Sequence, residues 1–219
     1  MKNYFLFCLL LLSFIGYSQK KVLLTKFISE KIEIDGKLNE NIWQTASIAK
    51  DFVMFDPENG KPIPDNKKTE VKGVYDNDAI YIGATLYDDS PDKILKEITQ
   101  RDDFGTSDVF GVFINGYNDG QQDFQFFVNA ADGQSDCITT DTNGEDYSWD
   151  AVWKSKAVIT NKGWVVEMRI PYAALRFSSE KKQTWGLNFF REIRRDRHKY
   201  TWNRIDSKLG TFTQQTGIL

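Results

Sequence analysis

Short runs in which apolar and polar residues alternate recur along the chain, and glycine, asparagine and aspartate separate the two members of each pair. Alternation with a period of two is typical of a strand that has one face in a core. The predicted strand pairs cover residues 71–75 and 79–86, 108–114 and 123–129, 156–160 and 164–170, and 185–193 and 199–205. This pattern predicts an all-β fold, an antiparallel β-sandwich of the jelly-roll type.

Helical patterns are few in this sequence. Residues 38–46 predict one or two helical turns, with Asn39 as the capping residue. Residues 91–100 predict a second short helix, because a serine precedes a proline at the first helical position. Residues 171–175 predict a single turn, and residues 56–68, with three prolines, predict the longest irregular loop. The predicted sandwich therefore carries one or two short helices.

The chain begins with a pattern typical of a secretory signal peptide. Lys2 supplies a positive start, residues 4–15 are apolar, and small residues occupy the end of the segment up to Ser18. Residues 1–18 are predicted to be removed, and their apolar run is too short to span a bilayer. We expect no transmembrane helix in the mature chain. Export to the periplasm or to the cell surface at the outer membrane is predicted, with the extracellular space as the alternative.

The mature chain is mildly acidic and contains a single cysteine. Without Lys2 the count of Lys and Arg falls from 28 to 27 against 31 Asp and Glu, which gives a net charge of −4. This balance argues against nucleic acid as a partner. Because only Cys137 remains after cleavage, no internal disulfide can form. About 200 residues are enough for one domain with its own core.

Candidate catalytic and metal-binding residues are sparse. His198 is the one histidine and has no nucleophile motif near it, and the usual His/Cys zinc sites are excluded. Acidic pairs leave two readings open. Oxygen-rich loops suit structural calcium, for which the candidate ligands are Asp76, Asp78, Asp102 and Asp108. The alternative is a pair of carboxylates for glycoside hydrolysis, which requires two acids about 5 to 9.5 Å apart.

Six tryptophans remain in the mature chain, and their positions suggest two roles. Trp43 and Trp164 lie in apolar patterns and are predicted to be core residues. Trp149 and Trp153 flank an aspartate after a polar loop, and Trp202 lies beside Thr201 and Asn203. A ring among hydrogen-bonding groups can stack on a sugar while its neighbours bind the hydroxyls. These three tryptophans, with Asn203, are candidate sugar-binding residues.

Residues 34–43, IDGKLNENIW, resemble the opening signature of carbohydrate-binding modules of family 9, which has the form I-D-G-x-L-x-E-x-x-W. Later segments agree in order, including residues 78–82, 108–114, 125–129, 164–175 and 186–191, so the resemblance covers most of residues 28–210. It implies a non-catalytic, often calcium-bearing sandwich over residues 19–210. In the family, a sugar lies between two tryptophans and is held by polar neighbours.

The resemblance carries over to individual positions, with departures. Trp202 corresponds to the family's C-terminal tryptophan, and Asn129 to one of its polar contacts. The first of the two tryptophans that enclose the sugar would fall near Phe104. The family's glutamate contact would fall at Gly111, and its arginine contact at Phe127. Phe104 is therefore a candidate ligand contact in place of the tryptophan, and half of the family's cleft is replaced.

Further segments are similar to the N-terminal region of large exported Bacteroidetes proteins. They are Arg101-Asp102-Asp103, the stretch 149–153 (WDAVW) and Leu175-Arg176-Phe177. The resemblance implies that a long C-terminal β-rich region, of the outer-membrane barrel kind, follows the domain. Residues 211–219 contain no closing pattern and are predicted to begin the linker to it.

Three hypotheses for the function follow. The leading one is an exported, non-catalytic carbohydrate-binding module that stacks sugar rings on tryptophan and serves carbohydrate capture or catabolism within a larger surface protein. The second is a structural domain that docks to the C-terminal barrel, in which every tryptophan is core. The third is an O-glycosyl hydrolase. An exposed Trp202 in a sugar-sized pocket would favour the first hypothesis, and burial of all six tryptophans the second.

Overall fold

The structure is a computed structural model that describes residues 20–219. The predicted signal peptide, residues 1–18, lies outside the described residues. Within residues 20–219, the strands are β1 Lys26–Phe27, β2 Ile48–Ala49, β3 Val53–Asp56, β4 Thr69–Tyr75, β5 Ala79–Tyr87, β6 Val109–Asn115, β7 Gln122–Asn129, β8 Gln134–Thr140, β9 Gly144–Asp146, β10 Lys154–Thr160, β11 Gly163–Pro171, β12 Gly186–Ile193, β13 His198–Thr201 and β14 Gly217–Ile218. One short helix, α1, spans Asn41–Thr45.

The strands form two sheets. A six-stranded sheet has the order β1-β4-β5-β11-β10, with β2 paired to β4. An eight-stranded sheet has the order β3-β13-β12-β6-β7-β8-β9, with β14 paired to β12. The named pairs are antiparallel except β1 with β4. The all-β antiparallel sandwich predicted from the alternating pattern is confirmed, as are its four strand pairs.

The main core lies between the sheets because each strand sends alternate side chains inward. On β7, Phe124, Phe126 and Val128 enter this core, whereas Phe127 belongs to a separate cluster on the other face. The register between β6 and β7, which pairs Val112 with Phe126, places the apolar positions of both strands on the same side. The eight-stranded sheet is therefore apolar on both faces along part of its length.

The residues of the segment 34–43 that match the family signature have structural roles. The Oε2 atom of buried Glu167 on β11 accepts the backbone N–H groups of Asp35, Gly36 and Lys37 at 3.0, 2.7 and 3.2 Å. Gly36 has φ +83°, a conformation that glycine adopts at little cost. Trp43 on α1 is fully buried in an apolar cluster on the outer side of the six-stranded sheet. The motif thus fastens the N-terminal segment to that sheet.

Three expectations about local structure need correction. Helix α1 is shorter than predicted, and its capping position is Glu40 rather than Asn39. The helix predicted over residues 91–100 is wrong: only a single 3-10 turn, Pro91–Lys93, forms. The chain then becomes extended, because the buried Ile94 enters the core and the backbone N–H of Glu97 binds the Ser107 hydroxyl at 2.8 Å.

The C-terminal segment also departs from its prediction as the start of a linker. Strand β14 pairs with β12, and the backbone of Leu219 exchanges hydrogen bonds of 2.9 and 3.1 Å with Trp185. Residues 211–219 are instead part of the sandwich, because their backbone groups complete the eight-stranded sheet. We call residues 206–219 the C-terminal strap.

Candidate functional site

Two of the tryptophans predicted to stack on sugars lie inside the sandwich. Trp202 is 2% exposed and packs against Phe189, with ring centroids 5.6 Å apart. Trp153 is 7% exposed, and its indole N–H donates to Asp136 at 2.7 Å. A ring buried to this extent presents no face to a ligand. The structure therefore makes both residues core residues rather than stacking platforms.

The two predicted asparagine contacts hold the backbone. Asn203 is buried; its side chain accepts the N–H of Lys21 at 3.0 Å and donates to the carbonyl of Gln215 at 2.8 Å. Asn129, also buried, accepts the N–H groups of Ala131 and Gly133 at 2.9 and 2.8 Å in the turn after β7. Their polar atoms are used within the protein, so neither residue is free to orient a ligand.

Phe104 belongs to an aromatic cluster on the outer face of the eight-stranded sheet. We call this the outer aromatic cluster; its rings are Phe104, Phe113, Phe127, Tyr147, Phe190 and Phe212. Phe104 packs edge-on against Phe127 with ring centroids 5.2 Å apart. The Phe127 ring fills the space over Gly111, where an added Cβ would lie 2.7 Å from a ring carbon. The positions expected to carry the family's glutamate and arginine contacts are thus packed with phenylalanine.

The motifs at residues 101–103 and 149–153 meet at one buried carboxylate. Asp136 on β8 accepts the backbone N–H of Ala151 at 2.9 Å and forms an ion pair with Arg101. Arg101 also donates to Asp150 at 2.9 Å. Burial raises the pKa of Asp136. The hydrogen bonds to Asp136 and the charge of Arg101 act in the opposite direction and offset part of this rise. This network anchors the segment that carries Trp149 to the eight-stranded sheet.

A cleft lies beside Trp149, and we call it the edge cleft. It consists of two adjoining pockets of about 530 and 440 Å³ that share Gln122, Phe124 and Arg176. The first pocket is completed by the β6–β7 loop and the end of the β8–β9 hairpin, and the second by the segment 149–152 and the turn after β11. The lining residues are Gly116, Tyr117, Asp119, Gln121, Gln122, Phe124, Ile138, Thr140, Asp141, Thr142, Trp149, Asp150, Ala151, Val152, Ala173, Ala174 and Arg176.

Each pocket of the edge cleft contains an accessible aromatic ring. Tyr117, at the tip of the β6–β7 loop, is 57% exposed. Trp149 is half-buried and is held by Phe124 and Phe126, whose ring centroids lie 5.3 and 6.0 Å from its own. The other five tryptophans are buried. Trp149 is therefore the tryptophan whose ring remains open to a ligand.

Polar and charged groups surround these rings. Arg176 lines both pockets, and its Nη1 donates to the carbonyl of Leu175 at 2.9 Å. Hydrogen bonds from Thr211, Thr213 and Gln214 lower the pKa of Asp141, so this carboxylate is charged at neutral pH. Such a combination of aromatic faces and fixed donors and acceptors suits an amphipathic, hydroxylated ligand.

The four predicted calcium ligands are not brought together. Asp76 caps the β4–β5 turn through the N–H groups of Asp78 and Ala79, both at 2.8 Å. Asp102 accepts the N–H of Asp136 at 2.9 Å. Asp108 lies near Arg191 and Arg195, and burial raises its pKa to about 6. Within residues 20–219, no three acids, histidines or cysteines are grouped as metal ligands. These four side chains do not fit one calcium site.

The sequence-based search missed Tyr117 and Arg176. Both lie in segments that the sequence singles out. Tyr117 is an aromatic residue in a loop outside the predicted strands, between Asn115-Gly116 and Asp119-Gly120. Arg176 lies in the segment 175–177, which resembles the exported Bacteroidetes proteins, but that resemblance implies no role for the arginine. Trp149 was identified, and the structure places it with these two residues rather than with Trp202.

Among residues 20–219, no helix is long and apolar enough to cross a membrane. Comparison with known proteins identifies the family of the chain and solved structures with the same fold. The sequence profile of the family described as "Carbohydrate family 9 binding domain-like" matches residues 34–207. No curated protein sequence matches the chain.

Three solved structures share the fold. A family 9 carbohydrate-binding module from Caldicellulosiruptor kristjanssonii in complex with cellotriose has a TM-score of 0.63 and 17% identity, over 90% of this chain and 92% of that one. A family 9 carbohydrate-binding module from the same organism in complex with glucose has a TM-score of 0.61 and 16% identity, over 89% of this chain and 94% of that one. A Bacteroides uniformis protein assigned to carbohydrate binding gives 0.73 and 12%, over 92% and 99%.

Proposed function

The chain belongs to the carbohydrate family 9 binding domain-like family, and we propose that it binds a glycan, without cleaving it, in the edge cleft beside Trp149. The family is one of binding domains rather than enzymes, in agreement with the prediction that the chain is not an enzyme. The observation that carries the proposed location is the accessibility of Trp149 and Tyr117, in contrast to the five buried tryptophans.

The character of the edge cleft supports a carbohydrate ligand. The indole of Trp149 and the phenol of Tyr117 offer flat apolar faces on which a sugar ring can stack. Gln121, Gln122 and Thr140 supply neutral donors and acceptors for hydroxyl groups. The core rings behind Trp149 hold it in place, so little conformational freedom is lost when a ligand binds.

The experiment compares two faces of the eight-stranded sheet. Isothermal titration calorimetry of residues 19–219 would use glucans, xylans and mannans, with glucose and cellotriose included because the Caldicellulosiruptor modules bind them. We expect Trp149→Ala to weaken binding about tenfold or more, equivalent to about 1.4 kcal/mol. Phe104→Ala probes the outer aromatic cluster, and Tyr75→Ala, on β4 away from the cleft, is the control. Loss of binding in Phe104→Ala with full binding in Trp149→Ala would contradict the proposed location.

A second candidate function is a docking domain for a C-terminal β-rich region of a larger protein. The observation in its favour is the burial of five of the six tryptophans, together with the phenylalanines that fill the outer face at Gly111 and Phe127. In this case no glycan in the panel would bind, whatever residue occupies position 149. A flat calorimetric response for the native domain therefore favours docking over sugar binding.

We also propose that the protein is exported to the periplasm or the cell surface and there contributes to carbohydrate capture. The support is the sequence of residues 1–18, with its positive start and apolar run. N-terminal sequencing of the protein from its native host should begin at Gln19. Recovery of chains that begin at Met1 would contradict export through a cleaved signal peptide.

A further inference from the structure

The two pockets of the edge cleft adjoin at Gln122, Phe124 and Arg176, which line both. Tyr117 lines the larger pocket and Trp149 the smaller, so each pocket has an aromatic ring of its own. A ligand that contacts both rings must therefore extend from one pocket into the other. Two rings in adjoining pockets suit successive units of an oligosaccharide.

Arg176 lies where the two pockets meet. Its Nη1 atom donates to the carbonyl groups of Leu175 and Ala173 at 2.9 and 3.5 Å, and its Nε and Nη2 donate to no acceptor within residues 20–219. The guanidinium also forms no ion pair with the described part of the chain. A planar group held at one nitrogen can offer its remaining N–H groups in a fixed direction. At this junction they would reach hydroxyl or ring oxygens next to the glycosidic bond.

The charges around Arg176 disfavour an acidic ligand. Asp119 and Asp141 line the same pocket as Arg176, and neither forms an ion pair within residues 20–219. Asp141 is kept charged by its hydrogen bonds. Asp150 in the second pocket is paired with Arg101. One cation against two unpaired carboxylates leaves the larger pocket with a net negative charge, which repels uronates and sulfated sugars.

We infer that the edge cleft binds an uncharged oligosaccharide of at least two units, with Tyr117 and Trp149 in separate subsites and Arg176 between them. This inference rests on the proposed function and specifies its ligand. It makes Arg176 a residue that determines ligand length, since its donors bridge the subsites.

Calorimetry of residues 19–219 tests the inference with neutral gluco-, xylo- and manno-oligosaccharides of one to four units and with trigalacturonate. For the neutral series that binds, affinity should rise about tenfold or more from one unit to two. Arg176→Met should remove most of that rise and leave the thermal midpoint unchanged. Arg204→Met is the matched control, because its exposed guanidinium contacts Asn59 and Asp206 outside the cleft. Trigalacturonate should bind about tenfold more weakly than the neutral trimer, and Asp119→Asn should narrow this gap.

The outcomes separate the inference from the proposed function. Equal affinity for one unit and three, or an unchanged length dependence in Arg176→Met, would overturn the two-subsite arrangement while sugar binding stands. Tight binding of trigalacturonate would overturn the selection of uncharged chains. If no glycan binds the native domain, the proposed function fails and the inference fails with it.

Discussion

Glu167 shows how a single buried carboxylate organises the N-terminal segment. One of its oxygens accepts three consecutive backbone N–H groups, and Gly36 supplies the backbone conformation that directs them there. The pattern I-D-G in the sequence is thus explained by the backbone it permits. Its role lies in folding, on the side of the six-stranded sheet that is remote from the strands lining the edge cleft.

Replacing Glu167 by alanine should destabilise the domain. The substitution leaves the N–H groups of Asp35, Gly36 and Lys37 without their acceptor. Burial raises the pKa of Glu167 to about 7, so each bond is valued as an ordinary one, at about 0.5–1.5 kcal/mol. Since water can reach part of the opened site, we expect a loss of about 2–4 kcal/mol in the free energy of unfolding, measured by urea denaturation. Glu167→Gln, which keeps one acceptor oxygen, is the control and should lose less. An alanine variant as stable as the native protein would show that the turn is held by other contacts.

Asp123 is a buried acid with a different consequence. Within residues 20–219, neither of its carboxylate oxygens has a hydrogen-bond partner, and the side chain is fully buried on the outer face of β7. Burial raises its pKa from 3.8 to about 7, and the neighbouring charges of Asp141 and Asp119 add to this. Between about pH 4 and pH 7, Asp123 therefore keeps its proton in the folded protein but loses it in the unfolded chain.

A pH dependence of stability follows from Asp123. Because its pKa is raised in the folded state, its contribution is fully present below about pH 4 and is lost as the pH rises to about 7. Asp123→Asn should remove this part of the dependence and be more stable than the native protein at pH 8 by about 4 kcal/mol, since the shift is about three pKa units and each unit corresponds to about 1.4 kcal/mol. Urea denaturation at pH 4, 6 and 8 measures it, with the exposed Asp92→Asn as control. Parallel pH profiles for native and Asp123→Asn proteins would refute the assignment.

At the scale of the elements, the C-terminal strap closes the eight-stranded sheet. Strand β14 adds to β12, and Leu219 is bonded to Trp185. Thr213 and Gln214 bind Asp141, and Phe212 packs on Phe55 with ring centroids 4.7 Å apart. These contacts attach the strap to β12, to the turn after β8 and to β3.

Deletion of residues 211–219 tests the role of the strap. A linker could be removed without effect, whereas deletion of these residues should remove the β12–β14 pairing and the hydrogen bonds to Asp141. We expect the denaturation midpoint to fall and the cooperativity of unfolding to decrease, as followed by circular dichroism. A variant with Leu209→Ala, an exposed position just before the deletion, should behave as the native protein. An unchanged midpoint in the deletion variant would restore the linker interpretation.

Most of the long strands could be predicted from the sequence and the shortest could not, although the seven-residue β8 was also missed. Strands β4, β5, β6, β7, β11 and β12 have seven to nine residues and an alternating pattern. Strands β1, β2 and β14 have two residues each, too few to show a period. The helix predicted at 91–100 has a typical helix-start sequence. It does not form beyond the first turn, because the chain is extended at Ile94, which is buried in the core. Local preference was overridden by tertiary packing.

The candidate site was only partly predictable for a related reason. Trp202 was predicted to bind sugars because Thr201 and Asn203 beside it are polar, yet all three residues are buried. Polar residues beside a tryptophan indicate an exposed site only when they are in contact with water. Asn203 is instead hydrogen-bonded to the backbone of Lys21 and Gln215. Trp149, Tyr117 and Arg176 come from three separate segments. Their meeting depends on the register of β7 and β8 and on the turn after β11, which no local pattern encodes.

At the scale of the whole molecule, the outer face of the eight-stranded sheet and the open end of the sandwich differ in what they leave accessible. The outer face of the eight-stranded sheet is filled by the outer aromatic cluster and the C-terminal strap. The open end between the sheets keeps Trp149 accessible. The domain thus retains the fold of the sugar-binding modules it resembles, while its accessible aromatic rings lie away from the positions at which the family resemblance implied a ligand.

Intrinsic fluorescence tests this account most directly, because Trp149 is the one tryptophan that is not buried within the described residues. Residues 19–219 and the variant Trp149→Phe would be titrated with the same neutral oligosaccharides, and equal thermal midpoints would establish that the variant is folded. The account predicts a saturable change in the native protein that disappears in Trp149→Phe. A change of equal size and midpoint in the variant would place the ligand near another tryptophan and contradict the edge cleft as the binding site.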